Sequence, residues 1–194
     1  MTEELLYLWF GMISRMTHTV KMNVAMKYGG IRGLWNTSEE QLRDELTQAQ
    51  ADGFLEHRDA GKVAAYAEEL RRNDITYIYP GHKLYPGKLY DIPDPPMLLF
   101  AAGDVDVLAD LDPAVAVVGA RKASVYGREA ANRLSGELAA SGVTIVSGMA
   151  LGIDGAAHRA AMKAGGKTVA VLGSGINVPY PRENYDISVS YTHL

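Results

Sequence analysis

The sequence predicts an α/β protein: a small all-helical N-terminal domain, then an extended Rossmann-like, doubly wound parallel sheet that is truncated after its first half. Three observations predict it. Residues 1–72 repeat apolar positions at helical spacing, and residues 113–186 alternate short apolar runs with helix-length segments. Each of the three apolar runs in that second region leads directly into a glycine-rich loop. At 194 residues and 47% hydrophobic composition, the chain suffices for one sizeable core and a smaller unit.

Taken in order, the helical region has apolar stretches at Leu5 to Phe10, Val20 to Tyr28, Gln41 to Leu46 and Val63 to Leu70. Gly29-Gly30, Gly33 and Gly53 read as punctuation between them, and Ser38 followed by Gln41 fits a capping box. Residues 73–112 read as a linker with edge strands: Ile75 to Tyr79, then a proline-rich stretch that cannot hold a helix, then Met97 to Phe100. From 113 the pattern is strand Val115 to Val118, helix Arg128 to Ala140, strand Val143 to Val146, helix Gly155 to Ala164 and strand Thr168 to Leu172. Ala131, Leu134 and Leu138 fall on one helical face, and Gly142 and Gly165 stand where left-handed caps belong. Residues 187–194 read as a tail.

Charge is divided unevenly. Residues 1–112 hold 11 Lys/Arg against 18 Asp/Glu, while residues 113–194 hold 8 against 5, so the glycine-rich half is the basic one. No cysteine is present and the five histidines have no ligand spacing, which excludes a disulfide framework and a thiolate nucleophile and leads us to expect no metal or other cofactor. The N-terminus is acidic and no apolar run approaches the roughly 20 residues of a membrane span, so a cytoplasmic protein without membrane partners is expected.

The chemistry is sought in three loops: Gly119 to Ser124, Ser147 to Gly152, and Gly173 to Asn177. Right-handed crossovers gather loops after parallel strands on one rim, where main-chain N–H groups can approach a phosphate. Neither a G-x-G-x-x-G dinucleotide fingerprint nor a G-x-x-x-x-G-K-[ST] loop is present. Arg121 offers a planar fork beside these amides, and phosphate contact is favoured over a surface ion pair. Lys122 reads as a solvated neighbour, while Ser124 either meets a phosphate or caps the following helix, with capping the safer reading. Ser147, Asp154 and His158 lie close in sequence but lack the nucleophile-elbow geometry, so Asp154 is read as an N-cap and His158 as a packed or loop-bonded group. Tyr180 either stacks on a base or packs as a lid, and Arg182 is the better candidate for a backbone contact.

Val118-Gly119-Ala120-Arg121 with Ser124, Tyr126 and Gly127, then Ser147 to Asp154 with Ala157-His158, then Gly165-Gly166 and Tyr180-Pro181, closely resemble the DNA-processing protein A family, DprA/Smf. The flank Tyr85-Pro86, Ile92 to Pro96, Leu99-Phe100 and Gly103 agrees with it. The resemblance is strong over 75–186 and weaker over 1–74, where that family often carries a sterile-alpha-motif-like or helix-hairpin-helix-like domain; Met12 to Met16 occupies the corresponding turn without a G-x-G hairpin. It implies a non-enzymatic protein that binds incoming single-stranded DNA during natural transformation, shields it and helps load the RecA recombinase. The implied DNA-binding residues are Gly119, Ala120, Arg121, Ser147, Gly148, Met149 and Arg182, with Lys122, Ser124 and Tyr180 as further contacts. A homodimer is also implied, with its interface and the RecA-contacting surface largely in the later half of the domain. Two rivals are a nucleotide-processing enzyme of the lysine-decarboxylase-like Rossmann group, although Gly173 to Asn177 lacks that group's P-G-G-x-G-T loop, and an inactive fragment.

Overall fold

The structure, a computed structural model, describes residues 1–14, 16–178, 180–184 and 187. Arg15, within the Met12 to Met16 turn, and all of the 187–194 tail except Ile187 lie outside the described residues. The chain divides into two units, Met1–Ala101 and Ala102–Leu194.

In the first unit, six helices α1 (Glu3–Met12), α2 (His18–Lys27), α3 (Ile31–Asn36), α4 (Glu39–Glu45), α5 (Gln48–Glu56) and α6 (Ala60–Arg72) surround a core built on Leu8, Trp9, Phe10, Leu34, Phe54 and Val63. Trp9 is fully buried and meets Trp35 edge-on at 4.9 Å, which satisfies the quadrupole preference of aromatic pairs. Thr2, Thr17, Ser38, Thr47 and Asp59 each cap a helix through the side-chain oxygen. The complete capping box is at Thr47 and Gln50 and not at Ser38, because the Gln41 side chain donates to Glu45 instead of reaching back. Gly33 and Gly53 punctuate nothing: both lie inside helices, where a Cβ on Gly33 would stand 1.7 Å from the Tyr28 carbonyl oxygen and one on Gly53 2.8 Å from Met16. Strand β1 (Ile75–Ile78) pairs with β2 (Leu99–Ala102), and Ile75, Tyr77, Met97 and Leu98 pack on the helical core.

The second unit carries three parallel strands, β3 (Ala114–Ala116), β4 (Thr144–Ser147) and β5 (Thr168–Ala170), in that order, with Val115 opposite Ile145 and Ile145 opposite Thr168. Connecting helices α7 (Val125–Ala140) and α8 (Ile153–Lys163) pack on each other and on β4. Because the strand order advances in one direction, both helices fall on one face of the sheet. Their contact uses small side chains. Ala131, Ser135 and Ala139 of α7 are buried and Leu138 packs, partly buried, against the Ala139, Ile145, Ala157 and Ala161 core, while Leu134 is half exposed, so the face read from periodicity holds at Ala131 and Leu138 and fails at Leu134. The buried side of α7 is filled by the smaller Ser135 and Ala139 instead. Gly142 and Gly165 do take left-handed backbone after α7 and α8. No helix among the described residues is long and apolar enough to cross a membrane.

Candidate functional site

The ladder ends where Val117 N–H donates to the Val146 carbonyl, and the chain then enters the first loop. Ser124 Oγ accepts from Gly127 N–H at 3.1 Å, so this serine caps α7 and starts it three residues earlier than apolar periodicity suggests. Gly119, Ala120, Arg121 and Lys122 are exposed. Among the described residues, no hydrogen bond engages the main-chain N–H of Gly119, Ala120 or Arg121, and no carboxylate pairs with Arg121. The glycine at 119 answers to packing: a Cβ there would lie 2.6 Å from Ile153 Cγ1. The loop thus rests directly on the start of α8. Ala120 contributes its carbonyl to Ile153 N–H at 3.3 Å, and Gly152 holds φ +82 with a Cβ position 2.2 Å from the same Ala120 oxygen.

The second loop is built differently. Ser147 is 3% exposed and donates its hydroxyl to the Val117 carbonyl at 2.6 Å, locking β4 to the strand beside it. Asp154, buried in the first turn of α8, accepts from Gly148 N–H at 3.1 Å and Ala150 N–H at 3.4 Å. Asp154 is therefore not the N-cap its position suggested. Gly152 is the cap residue, and the carboxylate reaches back across the loop to fold it. The Ser147 hydroxyl and the Gly148 N–H are both committed internally. Met149, 5% exposed, sits at φ +60, a left-handed conformation rare for a non-glycine residue that these bonds hold in place.

Asn184 joins the third loop to the second, a role nothing local in the sequence announces. Its Nδ2 donates to the Met149 and Ala150 carbonyls at 2.8 and 3.0 Å, and its Oδ1 accepts from Arg159 Nη2 at 3.0 Å. Arg159 also donates to the Glu183 carbonyl. Around this clamp runs a cleft lined by Arg121, Arg128, Asn132, Gly152, Ala156 and Arg159, bordered by Glu183 and Asn184. Arg182 stands exposed in the short 3-10 turn Arg182–Asn184, and Tyr180 is 65% exposed, which leaves its ring uncovered rather than packed as a lid. Sequence reading missed Arg128, Asn132 and Arg159. The i, i+4 spacing of the first two on α7 and the position of Arg159 about two turns after the loop were the available signals.

His158 serves the scaffold. It is fully buried, and its Nδ1 lies 2.7 Å from Thr168 Oγ1, whose own proton goes to the Ile145 carbonyl at 2.8 Å. The imidazole must therefore carry its proton on Nδ1 and donate it to Thr168. Burial pushes the His158 pKa down to about 4, with Asp154 opposing the shift and Arg159 adding to it. The ring ties α8 to β5.

Fold and site together define a Rossmann-type half-sheet whose glycine loops and arginines share one rim, a class suited to phosphate-bearing ligands. Residues 76–192 match the family described as DNA recombination-mediator protein A, and the chain belongs to that family. It is 40% identical to DNA processing protein DprA of Bacillus subtilis (strain 168) over 126 residues, covering 65% of this chain and 41% of that protein. It is 41% identical to Protein Smf of Escherichia coli (strain K12) over 141 residues, covering 69% and 37% respectively. The chain spans well under half the length of these curated relatives. An X-ray structure of DprA from Streptococcus pneumoniae superimposes with a TM-score of 0.72 at 28% identity, covering 95% of this chain and 63% of that one. A Helicobacter pylori DprA structure, described as giving insight into a unique single-stranded DNA binding mode, superimposes with a TM-score of 0.54 at 29% identity, covering 61% and 51%.

Proposed function

We propose that this chain binds single-stranded DNA through its sugar-phosphate backbone. The observation that carries the reading is the first loop: three consecutive exposed residues whose amides have no partner among the described residues, ending at an arginine that no described carboxylate pairs, braced from beneath by Ile153 and Gly152. Gly119, Ala120 and Arg121 make the direct contacts. Ser147, Gly148 and Met149 hold the neighbouring loop in shape behind them, and the exposed Lys122, Tyr180 and Arg182 extend the contact, with Ser124 fixing the exit into α7. The single-stranded DNA binding mode described for the Helicobacter pylori relative supports the ligand class.

The wider role follows the family: shielding of incoming DNA in transformation, loading of RecA, and association with a second copy. A non-enzymatic role is supported by the Ser147 hydroxyl, Asp154 Oδ2 and His158 Nδ1, which are engaged by main-chain or threonine partners. Fluorescence anisotropy with a labelled thymidine oligonucleotide tests the binding. Arg121→Glu is expected to weaken affinity at least about tenfold, and wild-type affinity is expected to fall steeply with added salt. An Arg121→Glu chain that binds as tightly as wild type would sink the reading.

A further inference from the structure

Arg128 and Asn132 follow one another at i, i+4 on α7 and are both exposed. With Arg121 from the first loop and Arg159 from α8, they line a cleft shared with Leu151, Gly152 and Ala156. Arg128 is held in place by Nη1 donating to the Ala123 carbonyl at 2.6 Å, which orients the guanidinium. Among the described residues, its remaining donors take no partner and no carboxylate pairs with it. On the same helix, Arg133 lies 4.0 Å from Glu137, and in the helical unit Arg43 and Arg71 are paired with carboxylates at 2.8 Å. The arginines of α7 and the first loop that lack a carboxylate are therefore the ones facing a common cleft. Like charges gathered in one opening repel, and a bound anion relieves that repulsion. Glu183 at the border offsets only part of it.

We propose that Arg128 and Asn132 form a second phosphate subsite, so that a DNA strand held at Arg121 runs on along α7 across Gly152 and Ala156. This rests on the single-stranded DNA reading and specifies the strand's path. Arg128 supplies its Nε and Nη2 donors to one phosphodiester, and the Asn132 amide reaches the adjoining phosphate or sugar oxygen. The two guanidiniums then contact successive phosphates.

The test is anisotropy titration of the whole chain with a labelled thymidine oligonucleotide at several salt concentrations, comparing wild type, Arg121→Glu, Arg128→Gln, Asn132→Ala and Arg133→Gln. All four sites are exposed, and circular dichroism checks that each variant is folded. Arg128→Gln is expected to weaken binding about fivefold and to reduce the magnitude of the log-log salt slope by about 0.7, the value for one lost single-strand phosphate contact. Asn132→Ala is expected to weaken binding about twofold without changing the slope, and Arg133→Gln to match wild type. If Arg121→Glu loses binding while Arg128→Gln retains both affinity and slope, the subsite falls and the parent reading stands. Equal losses for Arg128→Gln and Arg133→Gln would mean diffuse attraction and also overturn it. Retention of binding by Arg121→Glu removes both.

Discussion

The loop after β3 and the loop after β4 are both glycine-containing turns between a parallel strand and a helix, yet they are held in shape by different means. In the first, the N–H groups of the exposed Gly119, Ala120 and Arg121 take no hydrogen bond among the described residues. In the second, Asp154 gathers Gly148 and Ala150, while Asn184 takes the Met149 and Ala150 carbonyls. The first loop is held by packing and the second by side-chain hydrogen bonds from Asp154 and Asn184. The second loop is the support, because Gly152 at its end and Ile153 after it bear directly on Ala120 and Gly119. A ligand-ready loop whose amides make no internal hydrogen bonds needs such a buttress to keep its shape.

The largest effect should come from forcing the two loops apart. Gly152→Ala adds a Cβ 2.2 Å from the Ala120 oxygen at a φ of +82, and is expected to cost the second unit about 4 kcal/mol and to lower DNA affinity with it. Native-state hydrogen exchange over residues 114–170 reads the loss without assuming that the two units unfold together. Normal protection in that variant would show that the loops do not bear on each other.

Acid should loosen the contact between α8 and β5 next. His158 has its folded pKa depressed from 6.5 to about 4, so between those values the unfolded chain binds a proton that the folded one refuses. Stability from this group is full above pH 6.5 and falls as pH drops towards 4, by about 3 kcal/mol in all. Urea midpoints of wild type and His158→Gln across pH 4–7 isolate the effect. Parallel pH curves for the two would contradict it.

Asp154→Ala should convert the second loop towards the condition of the first, costing about 2 kcal/mol for two stranded amides. Exchange at Gly148 and Ala150 should accelerate while Gly119, Ala120 and Arg121 exchange fast before and after. The smallest effect belongs to Ser124→Ala, which removes the cap where the first loop enters α7 and should cost about 1 kcal/mol, visible as fraying of Val125 to Arg128.

Much of this was legible in order along the chain. Alternating apolar runs and helical segments identify the half-sheet, Gly142 and Gly165 mark helix ends, and the Val118 to Arg121 and Ser147 to Asp154 motifs identify the family. These signals are local: a period, a cap or a turn is written within a few neighbouring residues. The second group of facts is not. Leu134 is half exposed although its spacing fits the inward stripe, and Ser135 and Ala139 fill the buried side of α7 in its place.

Sequence alone thus determined the class of fold, the family and the loop that meets solvent with Arg121. Tertiary structure alone decided that Asp154 folds a loop instead of capping a helix, that Asn184 fastens residues about 35 positions away, and that Arg128 and Arg159 face the same cleft. The physical reason is that a hydrogen bond's worth depends on which donors and acceptors chain closure brings within about 3 Å, and that pairing exists only once the strands and helices have packed.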